Sequence, residues 1–186
     1  MLALLLVSAA RASAEWQIKP FLGATFGGET TLFNPRDEAG GHNVILGVSG
    51  VLLGEVIGIE GDLGLAPGFF TEGNLILGSR VTTLTGNVII AMPRRLTRYT
   101  LRPYFAAGVG LIRASSDTSL DALPVTSALP AMDLGGGVTG FLSKRFGVSW
   151  DVRRFRSIGT GKIRGQSSAP EQLSFWRASA ALAIRY

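Results

Sequence analysis

The stretch from Ser174 to Tyr186 limits this chain's possible folds more than any other. It reads Ser-Phe-Trp-Arg-Ala-Ser-Ala-Ala-Leu-Ala-Ile-Arg-Tyr. Taken at every second residue, Trp176, Ala178, Ala180, Leu182, Ile184 and Tyr186 form one apolar face, and Arg177, Ser179, Ala181, Ala183 and Arg185 form the other. Strict alternation of this kind is a β-strand whose two sides meet two different surroundings. A soluble sandwich turns its polar face to water, whereas a lipid-embedded barrel turns its apolar face to lipid and its polar face inward. Alternation alone does not choose between them. The aromatics near both ends of the apolar face, and the position of Tyr186 as the last residue, favour the second.

Bulk composition agrees with lipid contact through strands. Mean hydropathy is +0.31 and charged residues make up only 17% of 186 residues. Yet beyond the N-terminus no run of about 18 apolar residues exists to make a spanning helix. Strands that are apolar at alternate positions raise hydropathy without such a run. The absence of cysteine excludes a disulfide framework and thiolate metal sites. The formal charge of +5 is scattered over strands and turns instead of gathered on one face, so it does not suggest nucleic acid.

Residues 1–14 begin with a short apolar core and end in Ala12-Ser13-Ala14, the small-x-small pattern of a signal-peptidase site cutting before Glu15. The expected organisation is therefore a signal peptide over 1–14 and one domain over 15–186.

Eight strands are expected from there. Trp16–Phe26 sets Ile18, Pro20, Leu22, Ala24 and Phe26 against Gln17, Lys19, Phe21, Gly23 and Thr25. Asn43–Leu53 turns Val44, Leu46, Val48 and Leu52 outward. Ile57–Leu65 alternates Ile57, Ile59, Leu63 and Leu65 with Gly58, Glu60, Asp62 and Gly64. Arg80–Met92, Leu101–Arg113, Ala131–Leu142 and Gly147–Arg156 follow, then the terminal stretch. In the fourth and fifth both faces are mixed, so the pattern there is less decisive. Between strands, the connections Gly27–Gly41, Ala66–Leu75, Ala114–Pro130 and Ser157–Gln172 are long and rich in Gly, Ser, Thr and Pro. They alternate with shorter ones at Gly54–Val56, Pro93–Thr100 and Ser143–Phe146. Alternation of long and short puts all long loops at one end. The expected fold is all-β, an eight-stranded antiparallel up-and-down transmembrane β-barrel with long extracellular loops and short periplasmic turns.

The segments Ile57 to Phe70, Arg102 to Leu111, Gly135 to Gly137 and Asp151 to Arg156 resemble the small outer-membrane β-barrels of Gram-negative bacteria. These are the eight-stranded porin-family and opacity-type barrels, built like the OmpA transmembrane domain. The resemblance spans nearly all of 15–186. It implies an outer-membrane location, the lipid bilayer with its lipopolysaccharide as surroundings, a monomer, and recognition of the last strand by the barrel-assembly machinery. Trp176, Ile184 and Tyr186 would carry that assembly signal, with Tyr186 standing where the family usually has Phe.

An eight-stranded barrel is only wide enough for its own side chains. Charges on the inward parity, Lys19, Glu60, Asp62, Arg102, Asp151, Arg153, Arg177 and Arg185, are expected to pair into a salt-bridged polar plug, not to line an ion path. No catalytic, cofactor or metal site is expected. His42 is the only histidine and lacks the neighbouring serine that lipid A deacylases, also small barrels, place beside theirs; Ser49 lies on the other parity. Arg113, Arg154, Arg156, Lys162 and Arg164 near the loop end could meet lipopolysaccharide phosphates. The expected role is structural or surface-interacting and non-enzymatic. The competing readings are a soluble lipocalin-like carrier and an outer-membrane enzyme acting on lipid A.

Overall fold

A computed structural model of the chain describes residues 14–30, 43–68, 76–97, 101–118, 125–158 and 173–186. Eight strands follow in order: β1 Glu15–Thr30, β2 Asn43–Leu53, β3 Ile57–Pro67, β4 Ile76–Ala91, β5 Leu101–Thr118, β6 Val125–Phe141, β7 Phe146–Ser157 and β8 Leu173–Arg185. Each pairs antiparallel with its neighbours in sequence, and β1 closes on β8, so the sheet is a closed up-and-down barrel without a free edge. Among the described residues there is no α-helix. The longest expected turn holds one 3-10 turn, Arg94–Leu96, with Leu96 N–H donating to the Pro93 carbonyl. The expected signal peptide lies almost wholly outside the described residues, and β1 starts at Glu15.

The faces expected of β1, β2, β3 and β8 are the ones observed, and β4 to β7 alternate in the same way, including the two with mixed faces. In β4, Leu84, Val88 and Ile90 are exposed while Thr83, Thr85 and Asn87 are buried. In β5, Phe105, Val109 and Leu111 are exposed and Arg102 is buried. The main correction concerns the expected connection Ala114–Pro130. Most of it is strand: Ala114 pairs with Ser127, Ser115 with Thr126 and Ser116 with Val125, and Pro130 pairs with Leu111. Ser and Thr read as loop in isolation, but a closed ladder gives each backbone group a partner and lets the hairpin continue upward. Gly27 to Thr30 likewise belong to β1. Gly27 takes φ 59 where the β1–β8 register shifts between Phe26 and Glu29, a bulge that only glycine enters without strain.

The interior is layered, with the salt-bridged charges filling only part of its height. Toward the loop end it is apolar, with Phe21, Ile45, Val81, Ile112, Leu129, Phe155, Leu173 and Phe175 forming one buried cluster. Toward the turns, Val51, Leu53, Ile89, Ala91 and Ala106 form a second, smaller one. The charges lie between. An apolar layer inside a narrow barrel keeps water off the ionic layer and strengthens its pairs.

Large inward side chains need glycines beside them. A Cβ added at Gly47 would overlap the Phe21 ring and the Leu63 carbonyl, whereas one added at the outward Gly61 meets nothing within 4 Å. Gly47→Ala is therefore expected to cost about 1–3 kcal/mol through overpacking, and Gly61→Ala close to nothing. Urea unfolding of both variants from lipid vesicles checks this; equal stability of the two would contradict the packing described.

Candidate functional site

The most deeply buried cation among the described residues is Arg177, projected inward from β8. Its Nη1 and Nη2 donate to Asp62 Oδ1 and Oδ2 at 2.8 and 2.9 Å, a two-point match of planar guanidinium to carboxylate. The guanidinium carbon lies 4.6 Å from the Phe21 ring centroid and 4.9 Å from that of Phe155, so the cation is in cation–π reach of both rings. Phe155 in turn stacks on Phe175 at 5.1 Å. One level on, Arg153 Nη1 lies 2.7 Å from Glu60 Oε2, and its Nε donates to Asp151 Oδ2 at 2.8 Å. Asp151 joins the two arginines, with its Oδ1 at 3.7 Å from Arg177 Nη2, and accepts from the Tyr104 hydroxyl at 3.0 Å.

Six of the eight residues expected to share the interior thus lie there: Lys19, Glu60, Asp62, Asp151, Arg153 and Arg177. Lys19 stands apart from the ion pairs. Its Nζ donates to Thr139 Oγ1 at 3.2 Å and sits 4.9 Å above the Tyr104 ring. The other two, Arg102 and Arg185, share the inward parity but lie at the turn end. Arg102 Nη2 donates to the carbonyls of Gly54 and Glu55 at 2.9 and 2.6 Å. Arg185 donates to the Lys144 carbonyl and lies 3.5 Å from Glu15. Parity records direction but not height along the barrel axis, which is why these two were grouped with the rest.

Asp133 was missed as a network member although its inward parity in β6 was legible. It is 2% exposed, with Oδ2 at 3.5 Å from Arg153 Nη1. With it the central layer holds four carboxylates (Glu60, Asp62, Asp133 and Asp151) against Lys19, Arg153 and Arg177, not the excess of bases expected. Glu15 was missed too; it pairs with Arg94 at the turn end. The contact of Arg177 with two rings had a partial signal in the inward parity of Phe21 and Phe155.

The cavity at the ionic centre, bordered by Glu60, Asp62, Asp151 and Arg177, has a volume of about 10 Å³. That is about the space of one water. The outer face is the reverse. Leu22, Val44, Leu46, Ile59, Leu63, Leu84, Val88, Val109, Leu134, Trp150 and Leu182 are all exposed. Trp176 and Tyr186 lie on this same face, exposed, and Ile184 is half-buried there. An exposed apolar surface of this extent is foreign to a water-soluble monomer. Arg113, Arg154 and Arg156 are exposed beyond it toward the loop end, as is Arg80; Lys162 and Arg164 lie outside the described residues. Arg154 lies 5.6 Å from the Trp176 ring centroid. His42 is outside the described residues, and Ser49 is buried on the inner face. Among the described residues, no three His, Cys, Asp or Glu side chains are arranged to hold a metal.

No protein-family model matches the sequence, and no curated protein matches it. Solved structures do. Neisserial surface protein A aligns over 89% of this chain and 95% of its own, with a TM-score of 0.64 and 13% identity. The N-terminal β-barrel domain of Pseudomonas aeruginosa OprF aligns over 92% and 97%, with a TM-score of 0.56 and 13% identity. Ail, the attachment invasion locus protein of Yersinia pestis, solved with the heparin analogue sucrose octasulfate, aligns over 93% and 99%, with a TM-score of 0.55 and 12% identity. At this identity the likeness speaks for the backbone, and it covers nearly the whole length on both sides. The chain has the fold of the small eight-stranded outer-membrane β-barrels.

Proposed function

We propose that the chain is an integral outer-membrane protein without enzymatic activity, which acts through its outer surface and loops while its interior stays closed to solutes. The observation that carries this reading is the inversion of faces: an apolar exterior around buried ion pairs. Turned to water, that exterior would aggregate; turned to lipid, it is solvated. Export through residues 1–14 fits the start of β1 at Glu15, the residue after the expected cut. The barrel is monomeric in this reading. Its last strand, with Trp176, Ile184 and Tyr186 on the lipid face, is what the assembly machinery would bind.

Arg80, Arg113, Arg154 and Arg156 stand outward at the loop-side border of the apolar band. There, lipopolysaccharide phosphates would accept charge-assisted hydrogen bonds from them. The carrier alternative needs an apolar cavity where this barrel has Asp62, Arg177 and Arg153. A lipid A enzyme needs its nucleophile or base facing lipid, and Ser49 faces inward.

Cell fractionation tests the reading. The protein is expected in the outer-membrane fraction, to need detergent for extraction, and to migrate differently on gels before and after boiling. Recovery as a stable monomer from a detergent-free periplasmic fraction would overturn the proposal in favour of the carrier.

A further inference from the structure

The turn end of the barrel is hollow, unlike its centre. A cavity of about 460 Å³ opens there, within the range of small-molecule sites. Among the described residues five cations line it, Lys19, Arg94, Arg102, Lys144 and Arg185, against the single carboxylate of Glu15. That carboxylate is already shared between Arg94 and Arg185.

The two most buried of these cations have no carboxylate within salt-bridge distance among the described residues, although Glu60 and Asp151 act on Lys19, and Glu55 on Arg102, from further off. Arg102 is 7% exposed. It is held by backbone carbonyls alone, through Nε to Met92 at 3.1 Å and Nη2 to Gly54 and Glu55. Its Nη1 is buried and has no hydrogen-bond partner among the described residues. Lys19, 4% exposed, has only the Thr139 hydroxyl and the Tyr104 ring. The nearest acids in the interior, Glu60 and Asp151, are taken up by Arg153.

A buried cation without a carboxylate in direct contact is expensive, and backbone carbonyls fix Arg102 in place, so the guanidinium is oriented before anything binds. We propose that this vestibule binds a small free oxyanion, a phosphate- or carboxylate-bearing solute, with Arg102 and Lys19 as its principal cationic partners. A planar guanidinium with a spare N–H and an ammonium lining the same cavity suit an anion of several oxygens better than a single halide. The occupant is a solute of the compartment the turns face; the ionic layer beyond Lys19 stops it from passing further. The proposal needs only the barrel and its open end, and it stands whether or not the loop-end arginines meet lipopolysaccharide.

The full chain folded in phosphate-free maltoside micelles can be titrated with inorganic phosphate, citrate and chloride at constant ionic strength. Calorimetry and thermal melting are the readouts. Phosphate or citrate is expected to bind and raise the melting temperature where chloride does not, by the linkage of binding to stability. Arg102→Gln and Lys19→Met should each weaken that binding about tenfold or more, the loss of one charge-assisted contact. Arg95→Ala, an exposed arginine of the same 3-10 turn that does not line the cavity, should bind as the parent does. If Arg102→Gln does not fold, Lys19→Met alone carries the comparison. Equal responses to phosphate, citrate and chloride would overturn the proposal, and so would undiminished binding by Lys19→Met.

Discussion

Arg177→Ala is expected to remove about 3–5 kcal/mol of stability, the cost of leaving a buried carboxylate without its cation. Asp62 is 1% exposed and its two oxygens meet the two Nη atoms of Arg177. No other basic group is bonded to Asp62 among the described residues, so nothing replaces what is lost. Asp62→Ala should do comparable damage from the other side, because Asp151 at 3.7 Å is then the nearest acid left to Arg177. Arg177→Lys should fall between, since an ammonium keeps the charge but neither the two-point match nor the guanidinium's contacts with the Phe21 and Phe155 rings. Replacing both partners, Asp62→Leu with Arg177→Met, should restore much of the loss, because a buried pair exchanged for apolar volume leaves no orphaned charge. Urea titrations of protein folded into lipid vesicles measure all four. A double variant as damaged as Arg177→Ala would mean that the cavity left by the arginine, and not the stranded charge, sets the cost.

The second large effect belongs to the opposite face. Leu63 is exposed near the middle of β3, paired with Val48 on one side and Leu84 on the other, both also exposed. If this band meets lipid as proposed, Leu63→Arg should cost about 2–4 kcal/mol, the penalty of an arginine near the bilayer midplane. If the same face met water, the substitution would fall within about 0.5 kcal/mol, as surface changes generally do. The neighbours Asp62 and Leu63 therefore separate two questions: Asp62 probes packing inside the barrel, and Leu63 probes what lies outside it. A stable Leu63→Arg barrel in vesicles would end the membrane reading, whatever Asp62→Ala does.

Facing was legible from the chain because it is a local property. Ile57, Ile59 and Leu63 point away from Glu60 and Asp62 whatever the rest of the molecule does, since successive side chains of a strand leave opposite sides of the sheet. The same rule worked in β5, where Arg102 and Tyr104 alternate with Phe105 and Val109 despite the mixed composition. It failed where composition stood in for pattern. Ala114 to Ser116 and Val125 to Ser127 looked like loop and are paired strand, because Ser and Thr accept either state and the neighbouring strand decides.

What the sequence determined by itself is the number of strands, the face each residue takes and the presence of charges that must find partners inside. The tertiary structure decided which charges those partners are. Asp62 and Arg177 are 115 residues apart and meet only because β1 closes on β8. Arg102 and Arg185 have the same parity as Arg177, yet they lie at the hollow turn end and leave Asp62 to it. The apolar layer of Phe21, Ile112, Leu129 and Phe175 comes from β1, β5, β6 and β8, brought to one height within the barrel. Height depends on strand tilt and on the stagger of hydrogen-bond register around the closed sheet. Both are properties of closure, and no single strand carries them.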